Sequence, residues 1–288
     1  MFYCFRLKKI IPIAVAVIVL AVLALIFAPA ASSAPASAEE TIELPIIMYH
    51  SVYKDASLQN DYIISADTFR ADMEFLKEHG YETIFPAELF AYTQGDASLP
   101  EKPVMITFDD GYLDNLFYVL PILQELDMTA LISVVGAFSE EYTENGDRDP
   151  AYAYLSWDDI CQLNASGAIE IGSHTYNMHA LSPRRGSSRL WGESDEEYTE
   201  NFTRDLSKLQ DALKEHCGIT PTAFAYPYGF ISAPSVDALK KMGFTCAFTC
   251  EEKVNYLTGD PQELYALHRF NRPAGVSTAD FMARLKIT

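Results

Sequence analysis

The stretch "VMITFDDGYLDN", Val104–Asn115, decides how this chain reads. An apolar, partly β-branched run leads directly into two adjacent aspartates and a glycine. A buried strand that ends by pressing two carboxylates together carries a repulsion that something must offset. A cation held by one of them does so: a metal on Asp110 would leave Asp109 ionised and free to act as a base. Asp and Gly are also common at ordinary strand-to-turn junctions, so the stretch has to be weighed against the rest of the chain.

From Glu43 onward, short apolar runs alternate with amphipathic segments. The runs are "PIIMYH" (45–50), "ETIF" (82–85), "VMITFDD" (104–110), "ALISVVG" (130–136), "IEIGSH" (169–174), "TAFAYPYG" (222–229), "CAFT" (246–249) and "LHRFNR" (267–272). Between them, Phe69, Met73 and Leu76 recur at helical spacing before Gly80. Leu206, Leu209 and Leu213 do the same before Gly218, and "SVDALKKMG" stops at Gly243. Glycine just past a helix is the usual left-handed stop. Strands alternating with helices predict an α/β fold with a mostly parallel sheet. Seven or eight such units predict a distorted or incomplete (β/α) barrel, with a doubly wound open sheet as the alternative. Two long connections, 137–156 and 180–202, are expected to carry function rather than merely join elements.

In a parallel barrel, chemistry gathers at the C-terminal ends of the strands. Here the runs end in His50, in Asp109 and Asp110, in His174, and in "YPYG". "GSHTYNMH" adds His179, five residues after His174, so the loop between them must turn irregularly to bring both inward. Asp110, His174 and His179 offer two imidazoles and one carboxylate with positions left open, the pattern of a catalytic zinc-type site. His79 and His216 lie one and two residues before helix-terminating glycines and read as helix C-terminal residues facing the dipole.

"TFDDG" (107–111), "SHTYNMH" (173–179) and "AYPYG" (225–229), in that order, resemble the polysaccharide deacetylases of carbohydrate esterase family 4, the NodB-homology domain. The similarity runs from about residue 45 to near the C-terminus. The resemblance implies a distorted (β/α) barrel, a divalent metal and hydrolysis of N-acetyl groups on sugars. It implies Asp109 as general base, Asp110, His174 and His179 as metal ligands, and Pro227, Tyr228 and Gly229 beside the acetyl group, with the Tyr228 N–H on the oxyanion. The five-residue histidine spacing is similar to the poly-β-1,6-N-acetylglucosamine deacetylase branch. So is the position of "PIIMYH" early in the chain, which implies a circularly permuted barrel and nominates His50 as general acid, with His268 competing. The arginine that braces the base in many members would stand where this chain has Ala225; Arg269 is the candidate substitute.

Composition bounds the setting. Of 288 residues, 49% are hydrophobic and 21% charged, enough for a large core. A formal net charge of -19 argues against nucleic acid as a partner. Arg6, Lys8 and Lys9 precede an uncharged run over residues 10–28, about 28 Å long as a helix. Residues 1–9 then read as a cytoplasmic basic end, 10–28 as a transmembrane anchor or signal peptide, 29–43 as a small-residue linker, and 44–288 as the catalytic domain outside the membrane. Cys161, Cys217, Cys246 and Cys250 would meet an oxidising compartment. Cys246 and Cys250, about 13 Å apart if extended, are too far to bridge and read as small buried residues. The expected protein is a monomeric, exported, metal-dependent N-deacetylase, with zinc as the metal and an N-acetylated cell-surface glycan as substrate. Trp191, Tyr176, Tyr226 and Tyr228 are candidates for stacking on sugar rings. The alternatives are an inactive membrane-bound glycan-binding protein, which the set Asp109, Asp110, His174 and His179 argues against and Ala225 leaves open, and a metal amidase for a small non-sugar amide.

Overall fold

Each link between successive long strands carries a helix, and a helical crossover returns the chain parallel to its start. The computed structural model describes residues 41–54 and 56–287. The segment 10–28 and most of the linker lie outside them; among the described residues no helix is long and apolar enough to cross a membrane. The strands are β1 (Ile42–Leu44), β2 (Ile46–Tyr49), β3 (Ser51–Tyr53), β4 (Ile63–Ser65), β5 (Glu82–Thr83), β6 (Pro103–Phe108), β7 (Ala130–Val134), β8 (Ile169–Ser173), β9 (Ala223–Ala225), β10 (Cys246–Phe248), β11 (Asn255–Leu257) and β12 (Phe270–Asn271). The main sheet runs β10-β9-β8-β7-β6-β2-β12, with β5 on β6, and every pairing in it is parallel. A parallel bridge between Phe248 and Leu267 links β10 to the segment entering β12, so the sheet curls into a distorted barrel.

The strands are buried on both faces, which is why they read as continuous apolar runs. Met105, Leu131, Ala223, Ala225, Cys246 and Phe248 fill the barrel. Alternate residues, including Ile47, Ile106, Ile132 and Ile171, pack outward on the helices. Helix α1 (Ala66–Glu78) buries Phe69, Met73 and Leu76 and is capped by Ser65, whose side chain accepts from Thr68 N. Helix α2 (Pro86–Thr93) follows β5, and α3 (Leu120–Leu126) follows β6.

The two long connections differ from the sequence reading. Residues Gly136–Asn145 form helix α4, which buries only Gly136 and Ser139 and so leaves almost no apolar stripe to read. Helix α5 (Trp157–Ala165) comes next, and helix α6 spans Asp195–Cys217, beginning well before the leucine stripe. Its first turn holds Asp195, Glu196 and Glu197 behind a Ser194–Glu197 capping box. Such an acidic run suits a helix N-terminus, although it also resembles a solvated loop. Tyr198 and Phe202 extend the buried stripe towards Phe224 and Tyr226, where α7 (Ala233–Lys241) also packs. The last helix, α8, is Thr278–Arg284.

Cys161 on α5 and Cys217 at the end of α6 form a disulfide across a sequence separation of 56. No local pattern announces a pairing at that distance. Cys246 is free and buried inside the barrel, as expected of a small apolar residue. Closing a loop of that length restricts the unfolded chain by about 4 kcal/mol in the chain-entropy model. Replacing both Cys161 and Cys217 by alanine should lower unfolding stability by roughly 2–4 kcal/mol, read from urea midpoints. An unchanged midpoint would show that the bond does not support the fold.

Candidate active site

The site forms where β2, β6, β8 and β9 end together, and it depends on backbone conformations that side chains rarely adopt. After β6, Asp109 N still donates to Tyr49 O, at 3.0 Å, so Asp109 is fixed to the neighbouring strand. Asp110 then turns to φ 70° and Gly111 to φ 75°. A left-handed aspartate costs on the order of 1 kcal/mol and persists where surroundings over-determine it. Here it aims both carboxylates into one cleft. A side chain on Gly111 would press on Val134, so the second left-handed position also needs glycine for space.

After β8, His174 Nδ1 donates to Ala225 O at 2.8 Å, which fixes the ring and leaves Nε2 turned towards Asp110. Thr175 takes φ 73°. The irregular turn that follows is tied down by α6: Asp205 accepts from Tyr176 N at 2.7 Å and from Asn177 N at 2.9 Å. This returns His179 to within 4.9 Å of His174, ring centre to ring centre. One Asp110 oxygen lies 3.5 Å from His174 Nε2 and 3.0 Å from His179 Nε2. That oxygen is buried, and neither approach has hydrogen-bond geometry. The ligand atoms of Asp110, His174 and His179 lie within 4.8 Å of one another. Two imidazoles and a carboxylate converging on a point with an orphaned buried oxygen fit a divalent ion.

Electrostatics separate the two aspartates. Burial alone would raise the Asp109 carboxyl, but the Arg269 guanidinium, with His174 behind it, holds it well below the usual carboxylate range. The Arg269–Asp109 pair is bidentate, both bonds 2.7 Å, and its side chains are 0% and 3% exposed. Arg269 is aimed by a third bond, from Nε to Thr249 O at 2.9 Å. Ala225, by contrast, contributes only its carbonyl. Burial lowers His174 to about 4 despite the two nearby aspartates, so its ring is neutral and able to ligate. Burial opposes protonation of His179, but its contact with Asp110 prevails and raises it.

His50, at the end of β2, lines the same cleft, and its Nδ1 is buried with no hydrogen-bond partner among the described residues. Burial lowers its pKa more than Asp110 and Asp109 raise it. His268 does not line the cleft: its ring faces Thr249 Oγ1 and Glu251, at 3.5 and 3.6 Å. Tyr228 takes φ 58° in the turn Pro227–Gly229 and stacks on His179 with centroids 4.8 Å apart. Of the aromatic residues considered for sugar stacking, only Tyr228 lines the cleft. Tyr226 is fully buried, with its hydroxyl on Ser235; Tyr176 lies under Lys208; and Trp191 stands in solvent. The cleft, of about 610 Å³, also takes in Met48, Tyr62, Tyr112, Leu181, Cys250 and Asn271. Met48 and Asn271 come from β2 and β12, Tyr112 follows Gly111 directly, and Tyr62, Leu181 and Cys250 come from separate connections that no motif marks. Cys250 thus differs from its expected buried role: it is free, lines the cleft and lies 4.0 Å from Arg269 Nη2.

A curled parallel barrel with paired carboxylates and imidazoles at its C-terminal rim defines a hydrolase-type centre. The family model described as polysaccharide deacetylase matches residues 96–247, and the chain belongs to that family. It is 28% identical over 225 residues to the poly-beta-1,6-N-acetyl-D-glucosamine N-deacetylase of Escherichia coli (strain K12), covering 71% of this chain and 33% of that one. It is 27% identical over 220 residues to the protein of that name from Staphylococcus aureus (strain MRSA252), covering 71% of each. The solved structure of IcaB from Ammonifex degensii superposes with a TM-score of 0.68 at 28% identity, covering 85% of this chain and 97% of that one. The chain therefore spans about a third of the length of the first relative and most of the others.

Asp205, 26 residues after His179 and inside a helix, carries no sequence signal for its part in the site. Outer hydrogen bonds of this kind are worth about 10–100-fold in metal affinity. Asp205→Ala should weaken divalent-metal binding about tenfold, with zinc as the probe in a competition titration, while the fold persists. Unchanged affinity would show that the 175–179 turn holds its shape without α6.

Proposed function

We infer that this chain is an exported, metal-dependent N-deacetylase acting on a poly-β-1,6-N-acetylglucosamine-like polysaccharide, with peptidoglycan sugars as the neighbouring substrate class. The observation that carries the reading is the buried, arginine-braced Asp109 beside the orphaned oxygen of Asp110 and two converging imidazoles. The named relatives point to the glycan. The Cys161–Cys217 disulfide supports an oxidising compartment, in keeping with the basic and apolar N-terminus. The exposed rim, with Tyr62 and Leu181 each at 58%, suits a polymer lying across an open cleft better than a small enclosed amide.

Asp110, His174 and His179 would hold a divalent ion, zinc by the chemistry of that donor set, which would supply Lewis acidity towards the acetyl carbonyl and the attacking water. Asp109 takes the proton of that water. Its bidentate pairing with Arg269 keeps it ionised and fixes its direction, so little orientation is lost on reaction. The Tyr228 N–H donates to the developing oxyanion, with Pro227 and Gly229 shaping the turn that presents it. Gly229 packs so closely on Cys250 that a Cβ there would collide with it. His50 delivers a proton to the leaving sugar amine, completing acetate and a free amino sugar.

Asp109→Asn should lower acetate release from a β-1,6-linked N-acetylglucosamine oligomer by about 10²–10⁴-fold with bound zinc unchanged. Chelation should abolish release and zinc restore it; turnover that survives full chelation would sink the metal reading. Because Arg269 acts through Asp109, Arg269→Met should cost about tenfold or more alone, yet nothing further on the Asp109→Asn background. Additive losses in that cycle would mean that Arg269 touches the reaction by another route.

A further inference from the structure

The residues after the two aspartates, Asp114 and Asn115, are buried, at 1% and 0% exposure, and have no part in the proposed chemistry. Together they hold three consecutive residues of the β2–β3 corner. Asn115 Nδ2 donates to His50 O at 3.0 Å and also to Asp114 Oδ1 at 2.8 Å. The Asp114 carboxylate accepts a short hydrogen bond from Ser51 Oγ and another from the Val52 backbone. Burial raises its pKa to about 7 against these donors, and it forms no ion pair among the described residues. A carboxylate kept in such a place is expensive unless its acceptor geometry is needed.

The His50 ring has no comparable hold of its own. Its Nδ1 has no hydrogen-bond partner among the described residues, and the edge of the Tyr62 ring lies beside it, 4.9 Å away. The direction of the imidazole therefore follows from its backbone. We propose that Asp114 and Asn115 are positioning residues that clamp the 50–52 corner and so aim His50 at the leaving nitrogen. This rests on His50 being the general acid. The clamp ties the acid to the same short stretch that carries Asp109 and Asp110, so one turn of chain sets the base, a metal ligand and the acid relative to one another. That turn is itself pinned from outside by Leu113 N on Ala153 O and Leu155 N on Gly111 O, at 2.8 and 2.9 Å.

The test separates acid positioning from general damage by choice of leaving group. An amine must be protonated to leave, whereas 4-nitrophenolate leaves unaided. Asn115→Ala should lower kcat on the N-acetylglucosamine oligomer about tenfold or more, with KM and zinc content unchanged. Its hydrolysis of 4-nitrophenyl acetate should fall far less. Ser51→Ala, which removes one donor to Asp114, should show the same split to a smaller degree. If Asn115→Ala does not fold, Ser51→Ala and Asp114→Asn carry the test. Equal losses on both substrates, or no loss on either, overturn the clamp. His50→Ala is the control: without a split there, the acid role of His50 fails. A split in His50→Ala that is missing from the other variants overturns the clamp alone.

Discussion

The bidentate pair between Arg269 and Asp109 is the constraint on which the rest of the centre depends. Both groups are withdrawn from water, at a desolvation cost that only near-ideal geometry offsets. The pair joins the last strand region of the chain to β6, and it keeps Asp109 charged in a place where burial alone would neutralise it. Three residues on, Arg272 makes a second fully buried pair, with Asp72 of α1, whose carboxylate also receives Tyr49 and Thr278 hydroxyls. The segment 269–272 thus closes the barrel with one arginine directed to the cleft and the other to the helical layer. Breaking either pair would leave a buried charge unmatched, worth about 3–5 kcal/mol, so barrel closure and the geometry of the cleft share the same anchors.

Around that anchor the site is made of turns rather than regular structure. Asp110, Thr175 and Tyr228 all lie at positive φ without being glycine, and each follows the end of a barrel strand. Strain concentrated at three strand ends is tolerated because the barrel beneath is fully packed and the loops are tied by hydrogen bonds to α6 and to the 153–155 segment. The two aspartates of "TFDDG" then avoid mutual repulsion by having different partners. Asp109 faces a guanidinium, and Asp110 turns one oxygen, without a hydrogen-bond partner among the described residues, towards two imidazoles.

How far the sequence was legible depended on whether a residue's role was local. The barrel strands were legible because strands covered on both faces must be apolar throughout. Helix α4 was missed because it buries so few residues, and the start of α6 was missed because its acidic first turn looks like a solvated loop. Arg269 is marked in the sequence only by the lack of an arginine at Ala225, not by any feature of "LHRFNR" itself. Asp205, Cys250 and Asn115 were invisible as site residues because their contacts cross between distant elements, and the Cys161–Cys217 pairing was invisible for the same reason.

The sequence by itself determined the alternating α/β plan, the family, and the titratable residues gathered at the strand ends. These follow from short-range periodicity and from motifs whose residue types the chemistry requires. Only the tertiary structure decided which arginine meets Asp109, how a five-residue loop returns His179 to His174, and which histidine faces the cleft. Those outcomes are set by barrel closure and by side chains that converge from far along the chain, and no local pattern encodes a convergence.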